Sequence, residues 1–132
     1  MATIEREIPI DVPVQAAWAA LRDVGAVDRL VPGLVAASRL DGEARTVTFA
    51  SGAVLRELIV TIDDERRRFA YASVGGQARH HNASFQAFAA GPRRCRLVWI
   101  TDVLPDALAA PIAAVKDQAL PIIRRTLEAA CG

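Results

Sequence analysis

The stretch that most constrains this chain is residues 105–130, PDALAAPIAAVKDQALPIIRRTLEAA. Leu108, Ile112, Val115, Ala119, Ile122 and Thr126 recur at spacings of three and four, which predicts one stripe of an α-helix. Leu120, Ile123 and Leu127 widen the stripe, while Lys116, Asp117, Arg124, Arg125 and Glu128 fall mostly outside it. A helix with one apolar side needs a partner surface, and everything upstream reads as short, β-like and turn-rich. A curved antiparallel sheet wrapped around this helix is therefore expected, with function in the space between them. Pro121 removes one backbone donor and crowds the turn before it, which predicts a bend that fits the helix to the sheet. Pro111 is expected to mark the start of the regular helix.

The upstream chain can be read in order. Ile4, Ile8 and Ile10 alternate with Thr3, Glu5 and Glu7, the period of a strand over residues 3–10. Asp11 is the expected N-cap and Pro13 suits the first turn of a helix running to about Val24. Val27 to Val31 predicts a second short turn. The period then switches. Residues 34–40, 46–50, 54–62, 69–74, 81–89 and 94–103 read as strands, separated by Asp41-Gly42, Ser51-Gly52, 63–65, Gly75-Gly76 and Gly91-Pro92. Connections this short pair consecutive strands antiparallel. Strand parity places Ala83, Phe85, Ala87 and Ala89 on one face, and Cys95, Leu97, Trp99 and Thr101 on one face of the next run.

At 132 residues the chain is expected to form one domain over its full length. Sixteen basic residues against 15 acidic ones give a net charge of +1, which supplies no electrostatic pull toward nucleic acid or acidic membranes. Only Lys116 of the sixteen is lysine, read here as coding bias together with the abundance of alanine. The opening MATIEREIPIDV lacks a basic segment followed by an apolar one, so no secretory leader is expected. No apolar run approaches the roughly 18–20 residues of a membrane span. Cys95 and Cys131 are too far apart for a disulfide framework or a metal knuckle, and a cytoplasmic protein is expected.

The order of elements, together with AAWAALRDVGAVDRLVPG, the REL-IVTIDDERRRFAY hairpin, VGGQARHHNAS and LVWITDVLPD before the long helix, resembles the START-like, helix-grip superfamily. This group is also filed as polyketide cyclase/dehydrase and lipid transport proteins. The resemblance covers essentially the whole chain. It implies an α+β helix-grip fold: about seven antiparallel strands around a long C-terminal helix, with two short helices after the first strand. It also implies an internal cavity for lipids, isoprenoids or polyketide-like molecules. By position, Glu57 and Tyr71 are implied to line that cavity, and Gly75 to His80 to sit at its mouth. The short Ser51-Gly52 connection departs from the hormone-receptor branch, whose proline-bearing gate it lacks.

Taken with the resemblance, the residues give a candidate lining of Glu57, Tyr71, His80, Phe85 and Trp99. Leu55 and Ile59 flank Glu57, Thr61 shares their parity, and Val31, Ile112, Val115, Ala119 and Ile122 supply apolar wall. An acid among such neighbours resists ionisation and would serve as a proton donor or an anchor for a ligand hydroxyl. Pairing with Arg56 or another arginine is the simpler alternative. His80 and His81 are adjacent on a strand and point oppositely, so they cannot chelate one ion, and neither a metal nor a cofactor is expected. One of them faces the mouth and the other faces solvent. The aromatics serve packing and a pocket equally well. Trp18 is expected only to pack its helix, Arg79 to be solvated or to meet an anion, and 66–68 to be a solvated turn. No catalytic signature is present. Three readings stay open: apolar small-molecule binding, a cyclase or dehydratase using Glu57, Tyr71 or His80, and partner binding on the outside of the sheet. Oligomeric state is not readable.

Overall fold

The computed structural model describes residues 2–131. The elements run β1 (Ala2–Ile10), α1 (Val14–Leu21), α2 (Val27–Leu30), β2 (Val35–Asp41), β3 (Ala44–Phe49), β4 (Val54–Asp63), β5 (Arg68–Val74), β6 (His80–Ala89), β7 (Cys95–Leu104), a 3₁₀ turn (Asp106–Leu108) and α3 (Ala109–Cys131). The strands form one antiparallel sheet in the order β1-β7-β6-β5-β4-β3-β2. From β2 to β7 each strand pairs with the next in sequence, as the short glycine-bearing turns require. Gly42, at φ +63°, makes the β2–β3 turn in a conformation that costs other residues more. β1 departs from this sequential order by joining β7 along its whole length.

The sheet's inner face carries Ile4, Ile10, Val47, Phe69, Tyr71, Ala83, Phe85, Ala87, Leu97 and Val103, all buried. α1 contributes Val14, Ala17, Trp18 and Leu21 to the same core. Each fully buried aliphatic or aromatic side chain contributes on the order of 1.5–3 kcal/mol, and this packing holds the layers together.

Four local expectations are corrected. Asp11 does not cap α1: the helix begins at Val14 with Pro13 as its cap, so Asp11 lies too far upstream. Asp11 instead donates its N–H to Glu128 Oε2 at 2.9 Å and pairs with Arg94. Pro111 sits within the first turn of α3, which begins at Ala109, where a missing donor costs nothing. A β-bulge between Ile59 and Thr61 breaks the parity of β4. Ile62 thus lies opposite Phe69, while Thr61 turns away from Glu57's face and is exposed. Trp18 does more than pack, because its indole N–H donates to Asp64 Oδ1 at 2.9 Å, a carboxylate it shares with Arg22.

The buried ridge of α3 is also rotated from the expected one. It consists of Lys116, Ala119, Leu120, Ile123 and Leu127. Ile112, Val115, Ile122 and Thr126 are half-buried along its flank, and Pro121 is on the exposed side.

Candidate functional site

Register on the sheet assembles the site. Arg45, Glu57 and Ser73 are cross-strand partners on β3, β4 and β5, so their side chains form one row on the inner face. Arg45 donates from Nε to Glu57 Oε1 at 2.9 Å and from Nη1 to the Val24 carbonyl at 3.0 Å. Ser73 Oγ approaches the other carboxylate oxygen at 3.5 Å. Both side chains of this ion pair are under a tenth exposed. Glu57 is therefore inside, as expected, but it is compensated by a guanidinium and not isolated among apolar groups.

A second row runs Phe69, Phe85, Trp99, Arg6 across β5, β6, β7 and β1. Its rings stack, Phe69 on Phe85 at 5.5 Å and Phe85 on Trp99 at 4.3 Å. The adjoining row is Tyr71, Ala83, Thr101, Ile4, in which two small side chains stand beside the large rings. Trp99 bridges the rows by donating its Nε1–H to the Tyr71 hydroxyl at 3.1 Å. The Arg45 guanidinium lies 4.8 Å from the centre of the Tyr71 ring. Burial, reinforced by the Glu57 charge, holds the Tyr71 phenol well above its ordinary value, although Arg45 and the Trp99 N–H act the other way. Tyr71 is thus a hydrogen-bond donor at any physiological pH and not a base.

α3 closes over these rows with Lys116, which is 1% exposed. Its Nζ lies 4.3 Å from the centre of the Trp99 ring. Among the described residues it is the one buried side-chain nitrogen or oxygen with no hydrogen-bond partner. Burial, with a smaller push from the Arg6 charge, lowers the amine to about 7. Arg6 itself is paired with Asp117 at 2.9 Å. His81 faces the same interior, and burial followed by the Lys116 and His80 charges pulls its imidazole below the usual range.

The structure connects Glu57 through Arg45 to Tyr71, and Tyr71 through Trp99 to Phe85, with Val31 and Ala119 buried in the same core as these rings. Ile59 and Ile122 pack against that core, while Leu55, Ile112 and Val115 are half-buried. His80 is a correction. It shares parity with Asn82, is exposed on the outer face and hydrogen-bonds Asn82, so His81 is the inward member of the pair. Arg79 is exposed, as are Gly75 and Gly76. Two concavities open elsewhere: about 350 Å³ on the outer face around Asn82, Ser84 and Gln86, and about 310 Å³ beside the β4 bulge. Of the predicted lining only Ile59 touches either of them.

Sequence reasoning missed Arg45 and Lys116. Arg45 falls one residue before the strand expected over 46–50, although it shares parity with Val47 and Phe49 and the observed β3 begins at Ala44. The signal for Lys116, its being the sole lysine among sixteen lysine and arginine residues, reads as coding bias in the sequence alone. Among the described residues no three His, Cys, Asp or Glu side chains gather to hold a metal. No helix there is long and apolar enough to cross a membrane.

The family model described as polyketide cyclase / dehydrase and lipid transport matches residues 1–130. The chain belongs to this family. No curated protein matches it in sequence. Among solved structures, an uncharacterised protein of Bacillus thuringiensis superposes with a TM-score of 0.87 at 13% identity, covering 96% of this chain and 98% of that one. Norcoclaurine synthase of Thalictrum flavum, in complex with dopamine and hydroxybenzaldehyde, gives a TM-score of 0.74 at 14% identity, over 98% and 86% of the two chains. The di-domain ARO/CYC BexL of the BE-7585A biosynthetic pathway gives 0.82 at 13%, with 97% of this chain spanning 47% of that one. These likenesses establish the helix-grip fold that the polyketide cyclase / dehydrase and lipid transport family shares.

Proposed function

We propose that this family member holds an apolar small molecule, such as a polyketide-like compound, an isoprenoid or a lipid, between its sheet and α3. The observation that carries the reading is the inward row Phe69–Phe85–Trp99, flanked by the polar groups of Tyr71, Glu57 and Arg45. Rings supply area and stacking, while a few fixed polar groups orient a ligand. Ala83 and Thr101 keep the row beside the rings short. Half-buried Trp99, Val115 and Ile122 mark where a ligand would replace water. Removing about 300 Å² of apolar ligand surface from water contributes on the order of 7 kcal/mol before association costs, which sets micromolar or weaker capture with the polar groups adding to it. A neighbour of the same fold holding dopamine and hydroxybenzaldehyde supports ligands of this size and kind.

The test is organic extraction and mass spectrometry of purified protein, followed by titration of an aromatic and lipid library against tryptophan fluorescence. Phe85→Ala is expected to weaken uptake at least about tenfold, the equivalent of ~1.4 kcal/mol. A wild-type protein that retains nothing and responds to no member of the library would sink the reading.

A cyclase or dehydratase activity at the same place is the second reading, and Tyr71 favours it. Its oxygen accepts from Trp99, which leaves its own hydrogen to donate to a ligand carbonyl or departing hydroxyl. Tyr71→Phe would then abolish turnover while binding survives.

A further inference from the structure

A buried amine without a partner is costly, since a desolvated donor forfeits its hydrogen bonds to water and regains none. Lys116 Nζ is such an amine, resting on the Trp99 face in the aromatic enclosure. Every other basic residue of this chain is arginine. Arginine is the better group wherever a fixed cation must meet a carboxylate, because its planar fork binds bidentately and never loses its charge. What lysine provides and arginine does not is a nitrogen that can shed its proton and expose a lone pair. We propose that Lys116 is a nucleophilic amine that forms an imine with the aldehyde or ketone carbonyl of the molecule held between the sheet and α3.

This rests on the small-molecule reading and names the ligand's reacting group. The Nζ lone pair attacks the carbonyl carbon and forms the C–N bond as the C=O π pair moves to oxygen. A proton passes from nitrogen to that oxygen, and loss of water leaves the C=N bond. Nothing is oxidised or reduced, and no co-reactant is needed. The surroundings suit the step. The neutral amine is well populated at neutral pH, because burial and Arg6 lower its proton affinity. Arg6 is held by Asp117, Arg45 by Glu57, and His81 is kept toward its neutral form, so no carboxylate fixes Lys116 as an ammonium. Tyr71, tied to the same Trp99, offers a donor to the carbonyl oxygen. Trp99, on whose ring the amine rests, and His81, whose imidazole senses its charge, both stay partly open.

The single lysine makes the test unambiguous. 2-Naphthaldehyde with cyanoborohydride can label only Lys116 and the N-terminal amine, and peptide mapping separates them. The expected result is one adduct at Lys116, formed at a rate that rises through about pH 7, and its absence in Lys116→Met protein shown to be folded by thermal melting. 2-Methylnaphthalene, which lacks the carbonyl, is titrated in parallel against tryptophan fluorescence. Labelling of the N-terminus alone, with 2-methylnaphthalene still bound, overturns the imine and leaves the binding reading intact. A Lys116 rate rising only near 10.5, the value of a free lysine, also overturns it. Failure of both probes refutes the enclosure as a binding site, and the imine with it.

Discussion

Replacing Lys116 by methionine should make this protein more stable, and the gain should depend on pH in a defined direction. Methionine keeps an unbranched apolar stem of similar reach and removes the unpartnered nitrogen. The amine titrates at 10.5 in the open chain and at about 7 in the fold. At ~1.4 kcal/mol per tenfold, that gap corresponds to a ceiling of about 5 kcal/mol of destabilisation when the open-chain amine is charged. Water reaching Nζ lowers the figure, as does loss of the contact between the cation and the Trp99 ring. Between the two values the open chain binds more protons than the fold, so wild-type stability rises with pH across that window. From pH 6 to pH 9 the recovery should be roughly 2.5 kcal/mol. Lys116→Met has no such group and should lack this component. Urea unfolding of both proteins at both pH values gives a double difference in which the remaining titrations, Tyr71 and Cys95 among them, cancel to first order. Identical pH slopes in the two proteins would show that the amine is solvated in the fold, and the reasoning about its reactivity would fail with it.

Three further outcomes test other parts of the structure. Arg45→Leu leaves Glu57 buried without its cation and should cost about 3–5 kcal/mol in urea unfolding, while the double variant Arg45→Leu/Glu57→Leu should recover most of that. Trp99→Phe removes the donor to the Tyr71 hydroxyl and should cost about 1–3 kcal/mol, together with a measurable loss of ligand-induced fluorescence change. The Asp64 carboxylate is held below its ordinary 3.8 by hydrogen bonds from Arg22 and Trp18. Its stabilising effect should be present above that pH and fade as the pH falls below it, so the melting temperatures of Asp64→Asn and wild type should converge in acid.

The order of strands and helices was written in the chain because periodicity is local. Ile4, Ile8 and Ile10, the Phe85 parity set, the glycine turns and the long apolar helix each depend only on near neighbours. Antiparallel pairing followed from connections too short for anything else. Glu57 and Tyr71 could be placed inside because strand parity and a family resemblance agreed. What tertiary structure decided was which charges those faces meet. Glu57 is paired because β3 brings Arg45 beside it, a relation fixed by register across strands. The β4 bulge moved Thr61 outward, and a bulge leaves no clear trace in composition. The choice between His80 and His81 turned on where β6 begins its pairing. Lys116 shows the difference most plainly: hydropathy places a lysine in water, and the rotation of α3 against the sheet places it on Trp99. A helix's angular setting is determined by the fit of two whole surfaces, a quantity no local window of residues contains.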